Sequence, residues 1–123
     1  MTQAGFDQVV TFLHAADLER TTHFYADLLD LPLVRDQATC RIFRAAPQAY
    51  LGFCTHLEAP HPQGVILTLV TADVDGWYAR LKAGGVEFVQ PPAHNPKYQI
   101  THCFFKDPDG HLLEIQRFDQ PLE

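Results

Sequence analysis

The sequence has no long apolar run, no basic stripe and few cysteines, and each shortage removes a class of function. Its longest apolar stretch, Val65 to Val70, is interrupted by Thr68 and falls far short of the roughly 20 residues of a membrane span. The opening residues Met1-Thr2-Gln3-Ala4-Gly5 carry neither positive charge nor a long apolar segment, so no signal peptide is expected. The expectation is a cytoplasmic chain with no membrane partner. Nine Lys and Arg stand against 15 Asp and Glu, for a net charge of −6. The basic residues, among them Arg20, Arg35, Arg41, Arg44, Lys82 and Lys97, are scattered singly. Nothing here would neutralise a row of phosphates, so no nucleic-acid partner is expected. The three cysteines, Cys40, Cys54 and Cys103, include no CxxC. They are too few for a disulfide framework and read as small buried hydrophobes in a reducing compartment.

What is present suits one globular domain: 123 residues, 46% hydrophobic and 20% charged. Gln8 to His14 reads as a strand, and Asp17 as the cap of a helix running from Leu18 to Leu31. Phe24, Leu28 and Leu31 have the spacing of one helical face, and Pro32 would stop the helix. Leu33 and Val34 begin a short strand. Thr39–Arg44 and Tyr50–Cys54 then read as a hairpin around the loop Ala45 to Ala49. A loop centred on Pro47 pairs Cys40 with Cys54, Ile42 with Gly52 and Phe43 with Leu51. Alternation then puts Phe43, Leu51 and Phe53 on the face that packs against helices. Cys40, Ile42, Arg44, Tyr50, Gly52 and Cys54 fall on the other face, a mixed set suited to a cavity.

After a connector at 55–64, containing His56, Pro60, His61 and Pro62, the order recurs. Val65 to Thr71 reads as a strand and Asp73 as a second helix cap. Val74 to Ala83 reads as a helix with Val74, Trp77, Tyr78 and Leu81 on one side, ended by Gly84-Gly85. Val86 to Val89 is a short strand that Pro91-Pro92 should break. Tyr98–Phe105 and His111–Phe118 form the last hairpin, about the turn Asp107-Pro108-Asp109-Gly110. The expected fold is α+β: two βαβββ repeats, at about 6–58 and 64–118, forming a curved eight-stranded mixed sheet with helices outside and an inner cleft.

The segments Ala16-Asp17-Leu18-Glu19-Arg20, Phe24-Tyr25 and Lys106-Asp107-Pro108-Asp109-Gly110-His111 through Leu112-Leu113-Glu114-Ile115, with the duplicated order, resemble the vicinal oxygen chelate superfamily. That superfamily holds glyoxalases, extradiol dioxygenases and bleomycin-resistance proteins. The resemblance implies a homodimer. In metal-dependent members it also implies a divalent ion held by a residue from each repeat's first strand and a Glu from the last strand. Glu114 matches the last-strand Glu. The first-strand positions fall on Val10 and on Ile66, or on Val65 or Gly64 if the helix is aligned differently, and a fourth position used by some glyoxalases falls near Gly52. None offers a side-chain ligand, so the expected cofactor is none, and metal ligands are expected to be none.

Glu114 is therefore read as an isolated inner-face carboxylate, with Arg44 or Gln116 as its structural partner if it has no chemistry. The turn pairs Phe104 with Glu114 and His102 with Gln116, making His102 and Glu114 diagonal neighbours and a candidate catalytic acid/base pair. Val10, Phe12, Cys40, Arg44, Tyr50, Cys54, Ile66, Tyr98, Phe104 and Gln116 are the candidate ligand-binding residues. Cys40 and Cys54, directly opposed, could also hold a soft metal or close a disulfide. The primary expectation is a metal-independent pocket for a small organic molecule, working by sequestration or by acid/base turnover. The alternatives are a lyase or dioxygenase with a divalent metal on relocated ligands (His14, His102, Glu114, Gln8), or a structural dimer with a vestigial cleft.

Overall fold

Two aspartates start the two repeats in the same way. Asp17 accepts hydrogen bonds from the backbone N–H groups of Glu19 at 3.0 Å and Arg20 at 3.3 Å. Asp73 accepts from the N–H of Gly76 at 2.9 Å. Each satisfies donors that a helix start leaves without partners. The structure, a computed structural model, describes residues 5–58 and 64–122. Pro60, His61 and Pro62 of the expected connector lie outside the described residues. The chain divides into two compact units, Met1–His61 and Pro62–Glu123.

In the first unit, β1 (Val9–His14) leads to α1 (Leu18–Thr22), which runs directly into a π-helical segment, His23–Leu28. The strands β2 (Leu33–Asp36), β3 (Cys40–Ala46) and β4 (Ala49–Cys54) follow. Together with β1 they form a mixed sheet of order β1-β4-β3-β2, in which β1 is parallel to β4. The π turns correct the expected helical face. A π-helix bonds i to i+5, and the Leu29 N–H donates to the Phe24 carbonyl at 3.1 Å. Leu29 is thereby buried with Thr21, Phe24 and Tyr25, whereas Leu28 is only half-buried. The helical segment also stops before Pro32, where Asp30 takes a left-handed conformation at φ 61°. The hairpin register is as expected, with Cys40 opposite Cys54, Ile42 opposite Gly52 and Phe43 opposite Leu51. Its loop is shorter than expected: Ala46 pairs with Ala49, and Gln48 turns the chain at φ 65°. Phe43, Phe53 and Tyr25 are completely buried, with Tyr25 stacked on Phe53 at 4.3 Å between centroids. Burial of side chains this size contributes about 1.5–3 kcal/mol each.

In the second unit, β5 (Leu67–Val70), α2 (Val74–Ala83), β6 (Phe88–Asn95), β7 (Ile100–Lys106) and β8 (Leu112–Phe118) repeat the plan. The sheet order is β5-β8-β7-β6, with β5 parallel to β8. The eight expected strands thus form two four-stranded mixed sheets, one in each unit. Three details differ from expectation. Val65 and Ile66 precede β5 and are exposed. Tyr98 precedes β7, 63% exposed. The strand expected to break at Pro91-Pro92 continues through both prolines as β6. An edge strand permits this because the ladder to β7 shifts between Gln90 and Ala93, so no interior bond is lost. Val74 and Leu81 are fully buried, whereas Trp77 and Tyr78, expected in the core, are only half-buried. Tyr78 meets the edge of Phe88 at 4.6 Å, and Phe105, Leu113, Ile115 and Cys103 complete the core. Among the described residues, no helix is long and apolar enough to cross a membrane.

Candidate functional site

The middle of β8 sets Glu114 beside Thr68 of β5 on one flank and Phe104 of β7 on the other. This is the sheet face opposite Cys103, Phe105, Leu113 and Ile115. Glu114 is buried but not isolated, which corrects the sequence expectation. Thr68 Oγ1 donates to its Oε1 at 2.7 Å. Oε2 accepts from Gln116 Nε2 at 3.1 Å and lies 2.6 Å from His102 Nδ1. The side chains of His102 and Glu114 are only 12% and 7% exposed. Three short strands therefore hold one carboxylate with three donors, the arrangement a buried charge requires.

The expected diagonal contact of His102 with Glu114 is present. An ionised carboxylate only accepts, so the contact is a hydrogen bond donated by His102 Nδ1 to Glu114 Oε2. A histidine oriented in this way by a carboxylate can take a proton at Nε2 and return it. Phe104 packs edge-on against the His102 ring at 5.0 Å. Gln116 is the structural partner foreseen for Glu114. Thr68 was missed, although its place on the alternation, two residues past Ile66, was the signal available.

The first unit carries a different surface. A cavity of about 410 Å³ is lined by Gln8, Val10, Val34, Arg35, Ile42, Arg44 and Tyr50, within the size range of small-molecule sites. Three expected ligand-binding residues, Val10, Arg44 and Tyr50, meet here. Gln8 Nε2 donates to the Tyr50 hydroxyl at 3.1 Å, and the Arg44 guanidinium lies 5.9 Å from the Tyr50 ring centroid. Arg35 and Val34 were not foreseen; their strand was recognised but its face was not assigned. Ile66 and Tyr98 are the expected site residues that no strand carries.

The Phe12 ring lies against Gly52. A Cβ added to Gly52 would stand 2.5 Å from Phe12 Cδ1, so the missing side chain is what admits the ring. Cys40 and Cys54 face each other as expected and are joined as a disulfide, correcting their reading as two separate buried thiols. Cys103 is a free, buried cysteine. Burial pushes its thiol up to about 11, and the hydrogen bond with the Ile115 backbone pulls the other way. Of the remaining histidines, His14 Nδ1 lies 2.7 Å from the Leu57 carbonyl. His23 pairs with Asp27 at an exposed site, and His94 with Asp119. On the helix-facing side, the Arg41 guanidinium is held in its charged form chiefly by its hydrogen bond with Glu19.

This duplicated plan has known counterparts. The chain belongs to the Glyoxalase/Bleomycin resistance protein/Dioxygenase superfamily, whose family model matches residues 5–115. No curated protein matches it. Among solved structures, it is similar to a glyoxalase/bleomycin resistance protein/dioxygenase from Nocardioides, at 23% identity and TM-score 0.75, over 96% of this chain and 86% of that one. TioX from Micromonospora sp. ML1 is similar at 18% identity and TM-score 0.74, over 89% and 97% of the two chains. A protein of the same superfamily description from Alicyclobacillus acidocaldarius is similar at 18% identity and TM-score 0.73, over 97% and 96%. At these identities the likeness speaks for the fold, and one fold hosts many chemistries.

The donor set does not fit the divalent ion of the superfamily's metal-dependent members. Val10 and Ile66 present hydrocarbon, Gly52 presents no side chain, and both Glu114 oxygens accept hydrogen bonds from the protein. Gln8 precedes β1 and His14 ends it, about 20 Å apart at strand rise, so Gln8 and His14 do not share one ion.

Proposed function

We propose that this protein binds a small organic anion, without a metal ion, in the cavity of its first unit and acts by sequestering it. The observation that carries this reading is the lining itself. Val10, Val34, Ile42 and the Tyr50 ring supply apolar surface, while the guanidinium groups of Arg35 and Arg44 stand among them. Among the described residues no carboxylate is paired with either arginine, and no acidic side chain lines the cavity. An aromatic or branched aliphatic carboxylate matches both halves of that chemistry. The superfamily's bleomycin-resistance members supply the analogy for sequestration. Assembly as a homodimer in the cytoplasm belongs to the same proposal.

A second reading, acid/base turnover of a small molecule, is favoured by one observation: the 2.6 Å contact that holds His102 against Glu114. In it His102 Nε2 takes up and returns a proton, while Glu114 holds the ring and stabilises its charged form.

Calorimetry with a panel of aromatic and aliphatic carboxylates and their neutral amides tests the first reading. The expected result is binding of carboxylates over amides, weakened at least roughly tenfold by Arg44→Ala, as loss of a charged hydrogen bond implies. Silence across the panel, or equal binding of the amides, overturns it. Turnover by the wild type that Glu114→Gln abolishes without weakening binding would establish the second reading. Elemental analysis of protein prepared without chelator tests metal independence: a stoichiometric ion that depends on Glu114 would overturn it.

A further inference from the structure

We propose that Cys40, Cys54 and His56 form a redox-dependent site for a thiophilic d10 cation of the Zn2+ class. The site is closed while the two sulfurs are joined and opens when they are reduced. This inference is independent of the organic-ligand reading, because it uses none of the residues that line the first unit's cavity.

Three observations meet at this point. Cys40 and Cys54 are directly paired on neighbouring strands, with Cα atoms 4.1 Å apart. His56 follows Cys54 by two residues, and its Nδ1 lies 3.8 Å from Cys40 Sγ. The donor atoms of all three residues lie within 4.8 Å of one another, and among the described residues no other group of three His, Cys, Asp or Glu does so. A covalent cross-strand bridge needs no third ligand beside it, whereas a zinc site begun by two thiolates does.

The distances suit the chemistry. Zinc takes thiolate sulfur at about 2.3 Å and imidazole nitrogen at about 2.0–2.1 Å, in a tetrahedron. Two such sulfurs stand about 3.8 Å apart and a sulfur and nitrogen about 3.5 Å. His56 Nδ1 is already near that separation from Cys40 Sγ, and the sulfurs need only rotate apart about their own Cα–Cβ bonds. Both cysteines are buried while His56 is exposed, so the ion enters from the histidine side and keeps a water as fourth ligand. Two soft thiolates and one imidazole disfavour Mg2+ and Ca2+, which prefer oxygen.

The gating step is a thiol–disulfide exchange with a cellular dithiol. The S–S bond breaks as two electrons pass from the dithiol, which becomes its own disulfide, and its two protons pass to the Cys40 and Cys54 thiols. Metal binding then displaces those two protons, because the thiolate is the ligand.

The test uses the full chain stripped of metal, in two preparations. One is air-oxidised. The other is reduced by a phosphine, which becomes its oxide as water supplies the oxygen and the two thiol protons. Each is titrated with Zn2+ against a chromophoric chelator, and with Cd2+ by thiolate-to-metal charge-transfer absorption. The expected result is one Zn2+ per chain for the reduced protein and at least 100-fold weaker binding for the oxidised one. His56→Ala, at an exposed position, should keep the fold and weaken the reduced site by at least roughly tenfold. Cys54→Ser should abolish the charge-transfer band's two-thiolate intensity. No binding by the reduced wild type, equal binding by both preparations, or unchanged affinity in His56→Ala would each overturn the proposal. The first two comparisons use only the wild type and so do not depend on any variant folding.

Discussion

The two units share a strand plan and fill equivalent positions with opposite chemistry. In the first, Phe12 pairs with Gly52, Gly52 with Ile42, and Cys40 with Cys54. In the second, the corresponding pairs are Thr68 with Glu114, Glu114 with Phe104, and His102 with Gln116. Glu114 therefore occupies the place of Gly52, Thr68 that of Phe12, His102 that of Cys40, and Gln116 that of Cys54. Where the second unit builds a hydrogen-bonded carboxylate, the first lays a phenyl ring over a bare backbone and bridges the neighbouring pair covalently. The two repeats share one strand plan, and the side chains made one face a hydrogen-bonded polar network, the other an open surface that mixes apolar groups with two arginines. Phe12 and Val10 are 51% and 38% exposed, whereas Glu114 is 5% exposed.

The largest expected effect follows from this asymmetry. Glu114→Ala removes the acceptor of three donors at once and leaves Gln116 buried and His102 half-buried without it, while the exposed Thr68 can turn to water. The cost should be roughly 3 kcal/mol of unfolding free energy, between the usual values for a charged hydrogen bond and for breaking a buried ion pair. Urea denaturation measures it. A loss below about 1 kcal/mol would mean that water satisfies the network and that the second face is as open as the first.

The helix-facing sides differ as well, and pH can show it. Arg41 in the first unit and Cys103 in the second hold equivalent places, opposite Phe53 and Ile115 respectively. Arg41 is charged and tied to Glu19 and Asp36. Cys103 is buried with its thiol pushed up to about 11. An unfolded thiol ionises near 8.5. Below that pH both states keep the proton and the contribution is complete. Between about 8.5 and 11 the unfolded chain releases its proton while the folded chain retains it, so stability falls as pH rises. Wild type should therefore lose more stability than Cys103→Ala between pH 8 and pH 10 in parallel urea melts. Equal slopes would show that water reaches the thiol.

The register of both hairpins was legible because each turn announces itself: Pro47 in one, Asp107-Pro108-Asp109-Gly110 in the other. With the register came the pairing of Cys40 with Cys54 and the meeting of His102 with Glu114. The helix after Asp17 was legible as a helix but not as a π turn, since its apolar residues satisfy either period until Leu29, not Leu28, is found packed. Pro91-Pro92 misled because tolerance of proline depends on lying at a sheet edge, which is a property of topology and not of local sequence. Thr68 was missed for a related reason. A position carried over by counting from Asp73 gave Ile66, but β5 starts later than β1 does, and the alternation that put Thr68 on the same face did not by itself pair it with Glu114. The cavity arginine Arg35 depended on which face of a four-residue strand looks inward, and alternation over so few residues leaves that undecided.

The smallest expected effect is the most pointed comparison, because it falls at the first unit's counterpart of Glu114. Gly52→Ala places a methyl group against the Phe12 ring, and φ at this position is not in the left-handed region. The clash is therefore with a side chain alone, one edge of a ring that is half exposed. Replacing glycine in a strand also lowers the entropy of the unfolded chain, which offsets part of the contact cost. The net change should stay below about 1 kcal/mol, while NMR should show the Phe12 ring displaced and the ring-current shifts of its neighbours altered. A loss of 3 kcal/mol or more would mean that the ring is locked in place. The two faces would then be equally rigid, one fixed by packing and the other by hydrogen bonds, and the openness assigned to the first unit would not survive.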